Sequence, residues 1–294
     1  MPPRADVAST RRRLIYVDDG VPPLGTQFIQ RSCAARNVDF VPLNPIGFEF
    51  SPSAQLHAGD LLYRPAISFV AQLVEQFIWA PGVATFYADD DLFFGCLNPL
   101  NVFQRGGLPV PRTITCLSSD RDILDRYATR LGGYPLVYKI PGFSTGVGVG
   151  RLDSPASLYS FVDLALGLGR FPQVMAYVPD AVHWRLVVVG DRVAGSYRSP
   201  VAPQDFRTVA TRDLDDYTAT PPEDAVRVAV RSTELMRHEL GGVDVLAHES
   251  GRVYLLENNF PCYFAQAQDV AGADVSGAMI DHLIAKAERL ERGA

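Results

Sequence analysis

Gly241-Gly242-Val243-Asp244-Val245-Leu246-Ala247-His248-Glu249-Ser250-Gly251-Arg252-Val253-Tyr254-Leu255-Leu256-Glu257-Asn258-Asn259-Phe260 reads as two apolar strands joined by a turn at Ser250-Gly251. With those two residues as the loop, Glu249 faces Arg252, and counting back along both strands sets Asp244 opposite Glu257. Strand side chains alternate between faces, so Asn259 shares the face of Glu257. Two carboxylates and an amide converge. Like charges directly opposed on a sheet repel, and such a pair is tolerated when water or a cation lies between them. Hard oxygen ligands of this kind suit Mg2+, which keeps several waters and takes further contacts from substrate phosphates. Taken by itself, the stretch also reads as a solvated hairpin with scattered acids.

Working outward, Arg185–Gly195 forms an earlier hairpin around Gly190-Asp191. A helix over Pro221–Leu240 is expected to start with a capping box, Thr220 as N-cap with Glu223 three residues on. An amphipathic helix around Ser276–Leu290 closes the chain. Further upstream, Asn98–Arg105 reads as a short helix followed by a Gly/Pro-rich connector. A helix with Asp120 near its start and Leu131 near its end, a strand Leu136–Lys139, a Gly-rich turn, a helix from Ser154 and a strand Val174–Val178 come next. The first third alternates short apolar runs (Leu14–Asp18, Phe40–Leu43, Leu61–Tyr63, Val83–Tyr87) with helices near Gln27–Ala35 and Ser68–Trp79, the pattern of a small parallel α/β unit. The latter helix is expected to bury Phe69, Leu73, Phe77 and Ile78. Arg64, just past a strand end, reads either as a ligand-crevice residue or as a surface arginine. The divisions are 1–13 as a flexible arm, 14–95 as a Rossmann-like α/β domain, and 96–180 and 181–294 as two α+β lobes.

Composition narrows the function. The chain has 294 residues, 47% of them hydrophobic and 20% charged, and a net charge of −6, which describes a globular protein rather than a disordered one. Arginines are scattered singly, so nucleic-acid binding is not expected. The longest apolar runs fall far short of the ~20 residues that span a bilayer, so no membrane insertion is expected. Four cysteines (Cys33, Cys96, Cys116, Cys262), without a paired spacing, read as reduced thiols of a cytoplasmic protein. Cys262 has no histidine near it in sequence and reads as a buried thiol rather than a nucleophile. The chain has only two lysines. One of them, Lys139, ends an apolar strand and precedes glycines at 142, 146, 148 and 150, a loop whose N–H groups can close around phosphate. The segment Val174-Met175-Ala176-Tyr177-Val178-Pro179-Asp180 offers strand-end backbone and then an acid.

In this order, "GGLPVPRT" (106–113), "YPLVYKIPGFSTGVGVG" (134–150), "VMAYVPD" (174–180), "RLVVVGDRVAGSYR" (185–198), "DFRT" (205–208) and residues 241–260 resemble the ATP-grasp superfamily. They more closely resemble its carboxylate-amine ligases of the ribosomal-protein glutamate ligase and glutathione synthetase type. The resemblance covers about residues 95–290. It implies an ATP-grasp fold, two α+β lobes clasping ATP, preceded by the small α/β domain.

It also implies roles. Lys139 matches the lysine that contacts ATP phosphates, and Ser144, Thr145 and Gly146 begin the mobile lid that runs to Gly150. Met175, Ala176, Tyr177 and Val178 match the segment whose backbone reads adenine, and Asp180 the ribose partner. Asp244, Glu257 and Asn259 match the Mg2+ ligands, with Mn2+ as an alternative ion, and Arg185 and Arg207 the arginines that steady the transferring phosphoryl group. The implied reaction moves the γ-phosphoryl of ATP to a substrate carboxylate, small-molecule or peptide, after which an amine displaces phosphate from the acyl phosphate. The chain departs from the family pattern at Cys96, where a lysine is usual, and at Ala176 and His183-Trp184, where acids are usual. Val209 displaces a usual asparagine, and Phe260–Phe264 is aromatic where the family has small residues. Those departures keep two alternatives open, a nucleotide-binding scaffold without turnover and a small-molecule kinase. A homodimer is compatible with an apolar patch on the first lobe.

Overall fold

A computed structural model describes residues 11–89, 98–143, 146–202 and 204–293. Cys96, Ser144, Thr145 and the expected boundary near residue 95 lie outside the described residues, as do the first ten residues of the expected arm.

The apolar run at the start of the chain becomes β1 (Arg13–Val17), the middle strand of a parallel sheet with β2 (Asp39–Leu43) and β3 (Leu61–Tyr63) on either side. It reads as a continuous apolar run because both of its faces are covered. Leu14 and Tyr16 pack with α1 (Pro23–Ala35), and Ile15 and Val17 with α2 (Phe69–Ile78). Pro42 is accommodated because β2 is an edge strand.

Two expectations fail here. Val83–Tyr87 is not a fourth strand: it makes single bridges, Ala84 to Leu61 and Tyr87 to His238. Its backbone is taken instead by the far end of the chain, Glu239 N–H donating to Phe86 O (2.8 Å) and Ala88 N–H to Arg237 O (2.8 Å). Nor does α2 bury Phe69 and Leu73, which are 71% and 40% exposed; its inward face is Ala71, Val74, Glu75 and Ile78. The helix is turned by Glu75, which is buried against Arg64 Nε (2.6 Å) and accepts from the Tyr87 hydroxyl (3.2 Å). Arg64 is therefore neither a surface nor a crevice residue but half of a buried ion pair.

After α3 (Pro99–Arg105), a second, antiparallel sheet runs β4-β7-β5-β6, from β4 (Thr113–Thr115), β5 (Leu136–Lys139), β6 (Val149–Leu152) and β7 (Gln173–Ala176). Helices α4 (Arg121–Leu131) and α5 (Pro155–Gly167) cover it through Leu124, Leu136, Leu158 and Val174. Asp120 caps α4, accepting from Ile123 N–H (3.0 Å), and Ser154 caps α5. The strand expected to reach Val178 stops at Ala176.

The third sheet, also antiparallel, is ordered β11-β10-β8-β9. It is built from β8 (Ala181–Val189), β9 (Arg192–Ser199), β10 (Leu240–His248) and β11 (Val253–Asn259). Between β9 and β10 lie α6 (Leu214–Thr218) and α7 (Glu223–Leu235), the latter covering Trp184, Leu186, Val243 and Leu255. Thr220 does not cap α7; the cap position is Pro222, with no side-chain bond. The chain ends in α8 (Ala265–Ala271) and α9 (Val275–Glu291). Helix α9 joins this sheet to the first one, packing with Val187, Val189 and Leu240 as well as Leu14 and Leu61. Among the described residues no helix is long and apolar enough to cross a membrane.

The β10–β11 turn is longer than two residues. His248 N–H donates to Arg252 O (2.9 Å) around Glu249-Ser250-Gly251, with Gly251 at φ +81°, a conformation glycine adopts without strain. This slips the register by one, so Val245 faces Leu255. A bulge next to Asp244 then absorbs Leu256 and slips it back, and Asp244 faces Glu257 after all.

Candidate active site

Register places Tyr197 of β9, Arg185 of β8, Asp244 of β10 and Glu257 of β11 side by side in one row across the third sheet. Arg185 Nη1 donates to Asp244 Oδ2 (2.6 Å), and Asn259 Nδ2 lies 2.8 Å from Glu257 Oε1 and 3.4 Å from Asp244 Oδ2. The row is completed from the second sheet, where Lys139 at the end of β5 pairs with Glu257. Expected phosphate and metal residues thus meet as a chain of charges bridging two sheets, the carboxylates of Asp244 and Glu257 side by side between the cations Arg185 and Lys139.

The electrostatics follow from burial and neighbours. Burial alone would raise the pKa of Asp244, but Arg185, with His183 adding to it, holds the carboxyl down to about 2. Burial would likewise favour neutral Arg185, yet facing Asp244 keeps it protonated, with its pKa raised. Cys262 is buried beside Arg185, and burial pushes its thiol up to about 11 despite that positive charge, which leaves it a poor nucleophile at neutral pH. Gly242 makes the close packing feasible: a Cβ there would run into Arg185 Nη2 and Cys262 Cβ.

Two carboxylates and one amide oxygen form a hard donor set that fits Mg2+. No three His, Cys, Asp or Glu side chains gather as a metal cluster among the described residues, and the polar side chain beside the two carboxylates is the Asn259 amide.

Other expected residues stand apart from this row. Met175 and Ala176 end β7, and Ala176 and Tyr177 line a cleft of about 330 Å³ with Arg112, Gly132 and Tyr134. The Tyr177 ring lies 5.1 Å from the Arg151 guanidinium, Val178 follows in the link to β8, and Asp180 is exposed in a left-handed turn at φ +50°. Arg207 is exposed, held by Asp205 (Nε to Oδ2, 2.7 Å) and donating to Gly146 O (3.3 Å). It meets the glycine loop and makes no hydrogen bond to the charged row among the described contacts.

Sequence reasoning missed three members of the site: Tyr197, Gly242 and His183, whose Nε2 lies 3.3 Å from Asp244 Oδ1. For His183 a signal existed, its position two residues before Arg185 on the same strand face. For Tyr197 the signal was hidden, because a bulge between Val187 and Val188 shifts the hairpin register.

Against known proteins, residues 98–283, more than half of the chain, match the RimK-like ATP-grasp domain. A probable alpha-L-glutamate ligase of Pseudomonas putida (strain F1) is 27% identical over 190 residues, 64% of this chain and 62% of that protein. The chain thus aligns with somewhat under two thirds of that curated relative's length. Among solved structures, the ATP-grasp ligase PsnB complexed with minimal precursor superposes with a TM-score of 0.71 at 18% identity, over 94% of this chain and 99% of that one. D-cycloserine synthetase DcsG gives 0.69 at 16%, over 95% and 99%. The three-sheet architecture is accordingly the ATP-grasp fold with its preceding α/β domain, and the chain belongs to the RimK-like ATP-grasp domain family.

Proposed function

We propose that this protein is an ATP-dependent carboxylate-amine ligase that works through an acyl phosphate. The observation that carries the reading is the charged row Arg185–Asp244–Glu257–Lys139, which joins two sheets and sets two carboxylates and an amide together. Lys139 faces Gln173, and Ala176 faces Leu136 three residues along β5. A nucleotide lying along this sheet, with its base at 176–178 and its phosphates at Lys139, spans roughly 10 Å of strand.

In this reading a substrate carboxylate oxygen attacks the γ-phosphorus and ADP leaves. An amine nitrogen then attacks the acyl carbon, the C–O bond to phosphate breaks, and the amine gives up a proton. Lys139 and Arg185 hold positive charge where the transferring oxygens gather negative charge, and Arg207 adds to it from the glycine loop. Asp244, Glu257 and Asn259 would hold Mg2+ or Mn2+, which when bound neutralises phosphate charge. The names of the similar structures support both a peptide precursor and a small molecule as substrate classes.

The test is calorimetric titration of ATP with and without Mg2+, wild type against Asp244→Asn/Glu257→Gln. Metal-dependent binding that the double variant loses is the expected result, followed by phosphate release with a matched carboxylate and amine. A wild type that binds no ATP refutes the proposal; ATP binding with no phosphate release favours the scaffold alternative, and a stable phosphate ester as product favours the kinase.

A further inference from the structure

His183 stands two residues before Arg185 on β8. Alternation along β8 puts His183 on the same face as Arg185, while Trp184 points the other way and is buried against α7. Leu246 is the direct cross-strand neighbour of His183, and Asp244 that of Arg185, so the imidazole reaches Asp244 diagonally. Its Nε2 lies 3.3 Å from Asp244 Oδ1, while Arg185 Nη1 lies 2.6 Å from Oδ2. The other ring nitrogen, Nδ1, is buried and has no hydrogen-bond partner among the described residues. Facing an ionised carboxylate, Nε2 can act only as a donor.

A carboxylate gripped at one oxygen can pivot about that contact; gripped at both it cannot. Arg185 alone would leave Oδ1 free to swing, and His183 removes that freedom. An acid at this position would add a third carboxylate beside Asp244 and Glu257 and repel both. We infer that His183 is a positioning residue, a hydrogen-bond donor that fixes Asp244 Oδ1 for the divalent cation. The inference rests on the assignment of Asp244 to the cation made above.

The test titrates MnCl2 into the full chain and reads free Mn2+ by its paramagnetic resonance signal, for wild type, Asp244→Asn, His183→Ala, His183→Gln and His183→Asp, with thermal melts alongside. Loss of a partner that orients a metal ligand weakens affinity by roughly 10–100-fold, which is the change expected for His183→Ala. His183→Gln, whose amide nitrogen reaches as far as Nε2, recovers most of it, and this rescue separates positioning from a general loss of fold. His183→Asp stays as weak as the alanine variant. Wild-type affinity in His183→Ala, with binding lost in Asp244→Asn, overturns the inference and leaves the metal site standing. Full affinity in His183→Asp also overturns it, because charge rather than donation would then be what counts. If wild type and Asp244→Asn bind Mn2+ alike, the assignment of the cation falls, and the role of His183 with it.

Discussion

His238 makes the acid stability of this fold a measurable consequence of its tertiary packing. Its ring packs against both Tyr87 (centroids 5.7 Å apart) and Phe260 (4.4 Å apart), which also touch each other (5.0 Å), where the first α/β unit meets the end of β11. Burial there, with the charge of Arg64 acting in the same direction, pushes the imidazole down from 6.5 to about 4. In the unfolded chain the same ring protonates near its ordinary value, so the unfolded state binds the proton first as pH falls. Stability is therefore full above pH ~6.5 and is lost as pH drops towards the folded pKa, by about 2 kcal/mol at pH 5 and about 3 kcal/mol at pH 4. His238→Phe keeps an aromatic ring against Tyr87 and Phe260 and removes the titration. Urea unfolding of both proteins at pH 7.5, 6 and 5 should show the wild type losing about 2 kcal/mol more than the variant over that range. Parallel pH profiles for the two proteins would refute the reasoning, since the ring could not then be desolvated and neutral.

Two further outcomes follow from the same packing. Arg64→Leu strands Glu75 as an unpaired buried carboxylate and should cost about 3–5 kcal/mol in urea unfolding, whereas Arg64→Leu/Glu75→Leu should recover most of it; equal losses in the two would mean the pair is not coupled. Gly242→Ala places a methyl group against Arg185 Nη2 and Cys262, and displacing that guanidinium should lower steady-state phosphate release roughly 100-fold, a rate like wild type being the contrary result.

Much of the fold was legible where the deciding forces are local. Leu136–Lys139 is an apolar run bounded by Pro135 and a glycine-rich loop, and it is a strand over those residues. Asp120 and Ser154 cap helices because a short polar side chain needs only the N–H groups two or three residues on. Thr220 offered the same local signal, yet helix α7 starts two residues later behind Pro222, with Ala225, Val228 and Ala229 buried against β8 and β10. The expected face of α2 failed for a related reason: periodicity ranks Glu75 as outward, and only Arg64 and Tyr87, brought in from two other segments, make its burial affordable.

The site divides along the same line. Asp244, Glu257 and Asn259 could be paired from sequence, although the pairing holds through a longer turn and a bulge whose shifts offset each other. Sequence by itself determined the order of elements, the apolar runs that become strands, the Gly-rich loop after Lys139 and the hairpin acids, because each depends on neighbours within a few residues. Tertiary structure decided that Lys139 meets Glu257 across 118 positions, that His183 and Arg185 come within 3.3 and 2.6 Å of the two oxygens of Asp244, and that Gly242 leaves room for a guanidinium. Those contacts depend on which surfaces lose water together, and desolvation is set by the assembled sheets rather than by any stretch of chain.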